Sequence, residues 1–169
     1  MSKMRKTTAG KVAWCGMLTA LAMIFSYVEA LIPINAGIPG IKLGLANLVV
    51  LTGLYYLSPS EVFLVNVCRI LLTGFLFGSG MSILYSLAGG VLSFFVMLLL
   101  IRLDLFSPIG VSACGGAAHN TAQLLTACLV LGSSAPLAYL PVLLLAGTAA
   151  GILMGILSKA LLYVFKHAA

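Results

Sequence analysis

The stretch MSILYSLAGGVLSFFVMLLLI, Met81–Ile101, contains no charged side chain. A transmembrane helix needs about 20 mostly apolar residues to cross about 30 Å of hydrocarbon, and this segment has that length and polarity. The whole chain is similar, because 62% of its 169 residues are hydrophobic, 7% are charged and the mean hydropathy is +1.21. A soluble domain exposes much of its surface and is about 25% charged. The sequence therefore predicts an integral membrane protein.

Proline and glycine divide the chain into six predicted spans. Pro33 ends the first, Pro59 follows the second, and a Gly-Ser-Gly turn follows the third. The second span is short, which suits a broken or re-entrant segment that lines a cavity. We expect an all-α bundle of six transmembrane helices in one domain, residues 1–169. The approximate spans are 11–32, 43–57, 60–77, 81–101, 109–131 and 141–165.

The basic residues predict the orientation of the bundle. Six spans place most of them on one side of the membrane, and Lys/Arg-rich segments face the cytoplasm. The N and C termini are therefore predicted to be cytoplasmic. The net charge of +6 reflects this topology and gives no reason to expect nucleic-acid binding. The residues concerned are Lys3, Arg5, Lys6, Lys11, Arg102, Lys159 and Lys166.

The sequence carries no pattern typical of a metal site, a cofactor site or a catalytic centre. Its four cysteines lie in predicted spans without a C-x-x-C pair, so we expect free thiols and no metal. Only Glu29, Glu61 and Asp104 are acidic, and they are too far apart in sequence to form the carboxylate pairs that hold Mg²⁺. No nucleotide-binding motif is present. We therefore expect a protein that is not an enzyme and has no energy source of its own.

Polar side chains inside the predicted spans are the candidate functional residues. A charge at the centre of a bilayer costs at least about 2.5–3.5 kcal/mol, so such residues face an interior or a cavity. Arg69 lies near the middle of the third span with Asn66 one turn earlier, and Glu29 lies one turn before the end of the first. The fifth span contains SACGGAAHNTAQ, in which His119 and Gln123 share a helix face.

Two interpretations of these residues remain open. In the first, Arg69 and Glu29 form an internal ion pair, and the amides and His119 join the helices by hydrogen bonds. In the second, the polar residues line a pocket near the outer side that binds a small anionic or polar ligand. Lys42, which follows a Gly/Pro-rich loop, either lines this pocket or reaches the membrane interface. The candidate binding residues are Lys42, Asn47, Asn66, Arg69, His119, Asn120 and Gln123.

Two faces of small residues predict close helix packing. Gly147, Gly151 and Gly155 recur every fourth residue in the last span, where they allow another backbone to approach closely, within the bundle or between copies. A second face on the first span serves its own bundle or docks an outside partner. It consists of Ala13, Gly16 and Ala20.

The motifs PGIKLGLANLVVL, NVCRILLTGFLFG, SLAGG and SACGGAAHNTAQ resemble the Gx transporter family, also labelled heptaprenyl diphosphate synthase component I. This family is similar to the S components of energy-coupling-factor transporters. The resemblance implies six helices, a pocket open to the outside, and a docking face at Gly16 and Ala20 for a transmembrane coupling subunit that works with ATPases. It also implies a multi-pass protein of the bacterial cell membrane.

Three functions are consistent with these patterns. The first is a substrate-binding membrane subunit of a transport system. The second is an accessory membrane component of heptaprenyl diphosphate and isoprenoid quinone synthesis, or of flavin- and quinone-linked electron transfer. The third is a structural membrane partner that binds no ligand.

Overall fold

A computed structural model describes residues 8–31 and 44–168. Six α-helices, and no strand, are present in these two ranges, which confirms the all-α prediction. Lys42 lies outside the described residues. The α-helices are α1 (Thr8–Leu31), α2 (Leu45–Tyr56), α3 (Pro59–Phe77), α4 (Gly80–Leu103), α5 (Pro108–Leu131) and α6 (Leu140–Ala168), with a 3₁₀ turn at Ala135–Tyr139.

Short polar connections determine where the helices begin and end. The Ser58 hydroxyl accepts a hydrogen bond from the Glu61 N–H, and the Glu61 carboxylate accepts one from the Ser58 N–H, so that a capping box starts α3. Ser79 and Ser107 cap the first turns of α4 and α5 with their hydroxyls. Gly132 ends α5 in the left-handed conformation.

Four helical segments are long and apolar enough to cross a membrane: Ala9–Glu29, Pro59–Phe77, Gly80–Leu103 and Ala135–Val164. The helix α2 has 12 residues and is about 18 Å long, which is too short to cross about 30 Å of hydrocarbon. The helix α5 is long enough but carries many small and polar residues. Membrane insertion is therefore supported, while six crossings and cytoplasmic termini stay predictions.

The helices contact one another in the order α1, α3, α4, α5, α6, α2 and back to α1, so that they form a closed ring. The helix α2 also contacts α3 and α4, and most of its side chains are buried. Because the helices alternate in direction, α1, α3 and α5 finish where α2, α4 and α6 begin. We call this end of the bundle the Glu29 end and the opposite end the Glu61 end.

An apolar core closes the bundle toward the Glu61 end. It joins the second half of α2 to α3, α4 and α5, and Leu51 and Val111 within it are completely buried. The core residues are Val50, Leu51, Leu54, Val62, Phe94, Met97 and Val111. Small hydroxyl side chains also lie in this half, where Thr52 and Ser158 form a hydrogen bond of 3.0 Å, whereas Glu29 and Arg69 lie in the other half.

The glycine face of α6 lies directly against α5. A Cβ atom at Gly147 would meet the Gly116 carbonyl oxygen at 2.6 Å, and one at Gly155 would meet the Ile109 Cα at 2.6 Å. A Cβ atom at Gly151 would meet the Ala113 Cα at 2.7 Å. The two backbones are therefore in contact over several turns, as small residues permit in membrane helices.

We predict opposite effects of alanine at two glycines. Gly151→Ala forces α5 and α6 apart and should lower the free energy of unfolding by about 1–3 kcal/mol. Gly16→Ala adds a methyl group where no atom lies within 4 Å and should leave stability unchanged or raise it by up to about 1 kcal/mol. Thermal unfolding in detergent checks both variants, and equal melting temperatures for the two would contradict the α5–α6 contact.

Candidate binding site

A cavity of about 180 Å³ lies toward the Glu29 end and is lined by residues from all six α-helices. Its apolar floor includes Met97 and Met154. Among the described residues that line it, Arg69 carries the positive charge and Glu29 the negative charge. The polar lining residues are Ser26, Glu29, Asn47, Arg69, Thr73, Ser82, Ser86, Ser112, His119 and Asn120.

The Arg69 guanidinium is buried and is oriented by a neutral side chain. Its Nε and Nη2 atoms donate hydrogen bonds to Asn66 Oδ1 at 3.1 and 2.9 Å. Asn66 is 1% exposed and donates from Nδ2 to the Gly90 carbonyl oxygen at 3.0 Å. A side chain at position 90 would meet Ile70 Cδ1 at 2.7 Å, so glycine lets α4 approach Asn66 this closely. Arg69 is therefore fixed between α3 and α4.

The Glu29 carboxylate is held by Gly44, the residue that immediately precedes α2. Its Oε1 accepts a hydrogen bond of 2.7 Å from the Gly44 backbone N–H. Gly44 has φ 73°, a left-handed conformation that favours glycine, and it is the N-cap of α2. The start of a helix stabilises a carboxylate, because the unpaired N–H groups and the helix dipole are positive there. Glu29 thus joins the end of α1 to the start of α2.

Arg69 and Glu29 do not form a salt bridge. In the described parts of the chain, the ion pair within 4.0 Å is the one between Lys11 Nζ and Glu61 Oε1, at 3.7 Å. The predicted alternative of a direct Arg69–Glu29 pair is therefore wrong. Each of the two charges is held by a neutral hydrogen-bonding partner instead.

Two neighbouring residues of α5, His119 and Asn120, both line the cavity, although they face different helices. The His119 ring lies over Gly89 of α4, where a Cβ atom would come within 2.8 Å of the ring. Asn120 is buried and donates from Nδ2 to the Leu143 carbonyl oxygen of α6 at 2.8 Å. Because the cavity lies between α4 and α6, both side chains reach it although they point about 100° apart.

The structure brings most of the predicted binding residues together. Asn47, Arg69, His119 and Asn120 line the cavity, and Asn66 lies behind Arg69 as its hydrogen-bond acceptor. Gln123 is half-buried and is not among the described residues that line the cavity. It lies one turn farther along α5 than His119, which is why sharing a helix face with His119 did not bring it to the cavity.

The small-residue face of α1 is not covered by the described part of the chain. Ala13, Gly16 and Ala20 are all exposed, and no atom lies within 4 Å of a Cβ built on Gly16. This face does not serve packing within the described bundle. Docking of a partner there stays a prediction.

Several lining residues were not among the predicted binding residues. Ser82 and Ser86 of α4 are four residues apart, and this spacing on one face of an apolar helix is a signal that sequence reasoning could have used. Thr73 Oγ1 is buried without a hydrogen-bond partner among the described residues. Gly89 lies in the SLAGG motif, but the sequence did not indicate its role, which is to leave room for the His119 ring.

A family model described as heptaprenyl diphosphate synthase component I matches residues 18–161. The chain belongs to this family. No curated protein and no solved structure matches it significantly. The match covers α2 to α5 completely and includes every described residue that lines the cavity. Similarity to Gx transporters and to S components stays a prediction from the motifs.

We predict an energetic coupling between Gly89 and His119. Gly89→Ala pushes the His119 ring aside and should destabilise the protein, whereas the same change in a His119→Ala background should cost at least about 1 kcal/mol less. The matched control is Gly80→Ala, because a methyl group at Gly80 would have no atom within 4 Å. Thermal unfolding measures the coupling in two double-mutant cycles, in which His119→Ala is combined with Gly89→Ala or with Gly80→Ala. Additivity of Gly89→Ala and His119→Ala within about 0.5 kcal/mol would contradict the contact.

Proposed function

We propose that this protein is a membrane-embedded substrate-binding subunit of a transport system. It binds a small solute in the cavity at the Glu29 end, with an anionic group of the solute on Arg69. The solute enters from the outer side of the bacterial cell membrane. The single observation that carries the proposal is a buried guanidinium that faces a cavity and has no carboxylate partner among the described residues.

The hydrogen bonds of Arg69 support an anionic ligand. A guanidinium has five N–H donors, and Asn66 Oδ1 accepts from two of its nitrogen atoms. A buried charge without a counter-charge is strongly unfavourable, so such groups are normally paired. Carboxylate and phosphate groups fit the planar donor edge of arginine in two-point contacts. An anionic group of a solute would take the direct contact with Arg69 that no described carboxylate makes.

The composition of the cavity supports binding rather than catalysis. Its described lining contains a single carboxylate, Glu29, and no group of three or more His, Cys, Asp or Glu side chains converges in the described chain. Hydroxyl and amide side chains dominate the polar wall, and these select a solute by hydrogen bonds. A subunit without its own energy source needs a partner, for which the exposed face of Ala13, Gly16 and Ala20 is the proposed docking surface toward a coupling subunit and its ATPases.

The family description favours a second candidate function. It names a component of heptaprenyl diphosphate synthase, so an accessory membrane role beside a prenyl diphosphate synthase subunit, in isoprenoid quinone synthesis, is the alternative. A cavity of about 150 Å³ holds a molecule the size of benzene. The cavity of about 180 Å³ is therefore too small to enclose a long prenyl chain. An accessory role would act through contacts with the partner subunit, not through this cavity.

We predict that Arg69 is required for a co-purifying solute that carries an anionic group. Native mass spectrometry of protein purified gently from its own membrane should show a small-molecule adduct on the wild type and on Arg102→Gln, a control at the end of α4 outside the cavity lining. Arg69→Gln should lose the adduct, with an affinity lower by about 100-fold, because a buried charge contact is removed.

Folding is followed in the same samples by thermal unfolding and size-exclusion profiles. A neutral side chain in place of a buried charge is often tolerated, so we expect Arg69→Gln to remain folded. An adduct that persists in Arg69→Gln would contradict the proposed site. Protein without an adduct that co-purifies with a prenyl diphosphate synthase subunit would favour the second candidate.

A further inference from the structure

Two opposite charges face the same cavity without touching each other. Arg69 on α3 and Glu29 on α1 both line it, and no N···O distance between them is within 4.0 Å. Opposite charges in a poorly solvated interior attract each other strongly. Two such side chains remain apart only where other contacts hold them.

Separate anchors keep these two charges apart. Asn66 Oδ1 accepts from Nε and Nη2 of Arg69, which fixes the plane of the guanidinium. The Gly44 N–H donates to Oε1 of Glu29, which fixes the carboxylate at the start of α2. Both anchors are neutral groups, so neither cancels the charge that it holds.

Each charge keeps hydrogen-bonding capacity for a further partner. Among the described residues, Nη1 of Arg69 and Oε2 of Glu29 have no hydrogen-bond partner. A third open group lies on the same wall, because the buried Oγ1 of Thr73 also lacks a described partner. The cavity thus offers cationic donors, an anionic acceptor and a hydroxyl group to one occupant.

Building on the proposed function, we propose that the solute is a zwitterion of amino-acid size. Its carboxylate binds Arg69 and its ammonium group binds Glu29. A cavity of about 180 Å³ fits roughly six to nine non-hydrogen atoms, by comparison with the cavity of about 150 Å³ that holds benzene. Small α-amino acids fall within this range.

The charge balance explains why a zwitterion is favoured over a simple anion. Arg69 and Glu29 cancel each other, so a bound monoanion leaves the described lining with one excess negative charge beside Glu29. A zwitterion satisfies both charges and leaves none in excess. Since unpaired charge is costly in a buried site, Glu29 discriminates against solutes that lack a positive group.

The test uses three matched sets of small molecules with the purified full-length protein in lipid nanodiscs. The probes are α-amino acids of up to about nine non-hydrogen atoms, their desamino carboxylic acids, and their decarboxylated amines. Calorimetry gives the dissociation constants. We expect at least one amino acid to bind the wild type at least about tenfold more tightly than its desamino acid and its amine.

Glu29→Gln isolates the second charge, because its amide oxygen still accepts from the Gly44 N–H. It should weaken amino-acid binding by at least about tenfold and leave the matched desamino acid bound as well as before or better. Asp104→Asn is the matched control. It removes a carboxylate at the end of α4, where φ is 53° and asparagine is tolerated. It should change neither constant.

Three results would overturn the zwitterion proposal. They are desamino acids that bind the wild type as tightly as the amino acids, equal constants for Glu29→Gln and Asp104→Asn, and no binding of any probe. None of the three removes the proposed function, which depends on the Arg69-dependent adduct in native mass spectrometry. An adduct that persists in Arg69→Gln would contradict both the proposed function and the zwitterion proposal.

Discussion

A guanidinium buried in an apolar helix bundle has to be solvated by the protein or by what the protein binds, and the arrangement of this bundle follows from how Arg69 is solvated. Asn66, one turn earlier on α3, accepts from two of its nitrogen atoms and donates to the Gly90 carbonyl oxygen. This chain of contacts joins α3 to α4 and orients the charge. It does not neutralise the charge, and Glu29, the carboxylate among the described lining residues, lies more than 4.0 Å away.

Glycine creates both the tight and the open parts of the bundle. Along α6, Gly147, Gly151 and Gly155 let the backbone of α5 come into contact. On α4, Gly89 and Gly90 instead leave room for the His119 ring and for the Asn66 amide. The same residue type therefore closes the α5–α6 side and admits polar side chains on the α3–α4 side. The apolar core completes the division by filling the Glu61 end.

Much of the fold could be predicted from the sequence, because proline, glycine and charge mark helix ends directly. The predicted span 60–77 matches α3 at Pro59–Phe77, and the prediction of 109–131 matches α5 at Pro108–Leu131. The short second helix was also expected, at 43–57 against Leu45–Tyr56. The 3₁₀ turn before α6 was not predicted, since the apolar residues there continue into the helix. The ring order of the helices depends on side-chain fit between faces, which periodicity does not encode.

The sequence predicted those site residues whose polar side chains are costly to bury in a membrane. It was less informative about residues whose position depends on how the helices pack. Arg69 and His119 were singled out because a polar side chain inside a membrane span is costly unless it faces a cavity or a polar partner. Gln123 was expected beside His119 because the two share a face. The cavity instead lies between α4 and α6, the two helices that flank α5. His119 and Asn120 therefore line it, and Gln123 does not. Glu29 was expected either to pair with Arg69 or to belong to the pocket, and only the structure shows that Gly44 holds it.

In the proposed site, the Arg69 guanidinium contacts an anionic group of a solute, while Glu29 stays apart from Arg69 on the Gly44 N–H. An experimental map of the protein, prepared from its own membrane without added ligands, tests this most directly. We expect non-protein density within about 3 Å of Arg69 Nη1, with Glu29 still accepting from the Gly44 N–H. A Glu29 carboxylate seated directly on the Arg69 guanidinium, with the cavity closed around that pair, would contradict it.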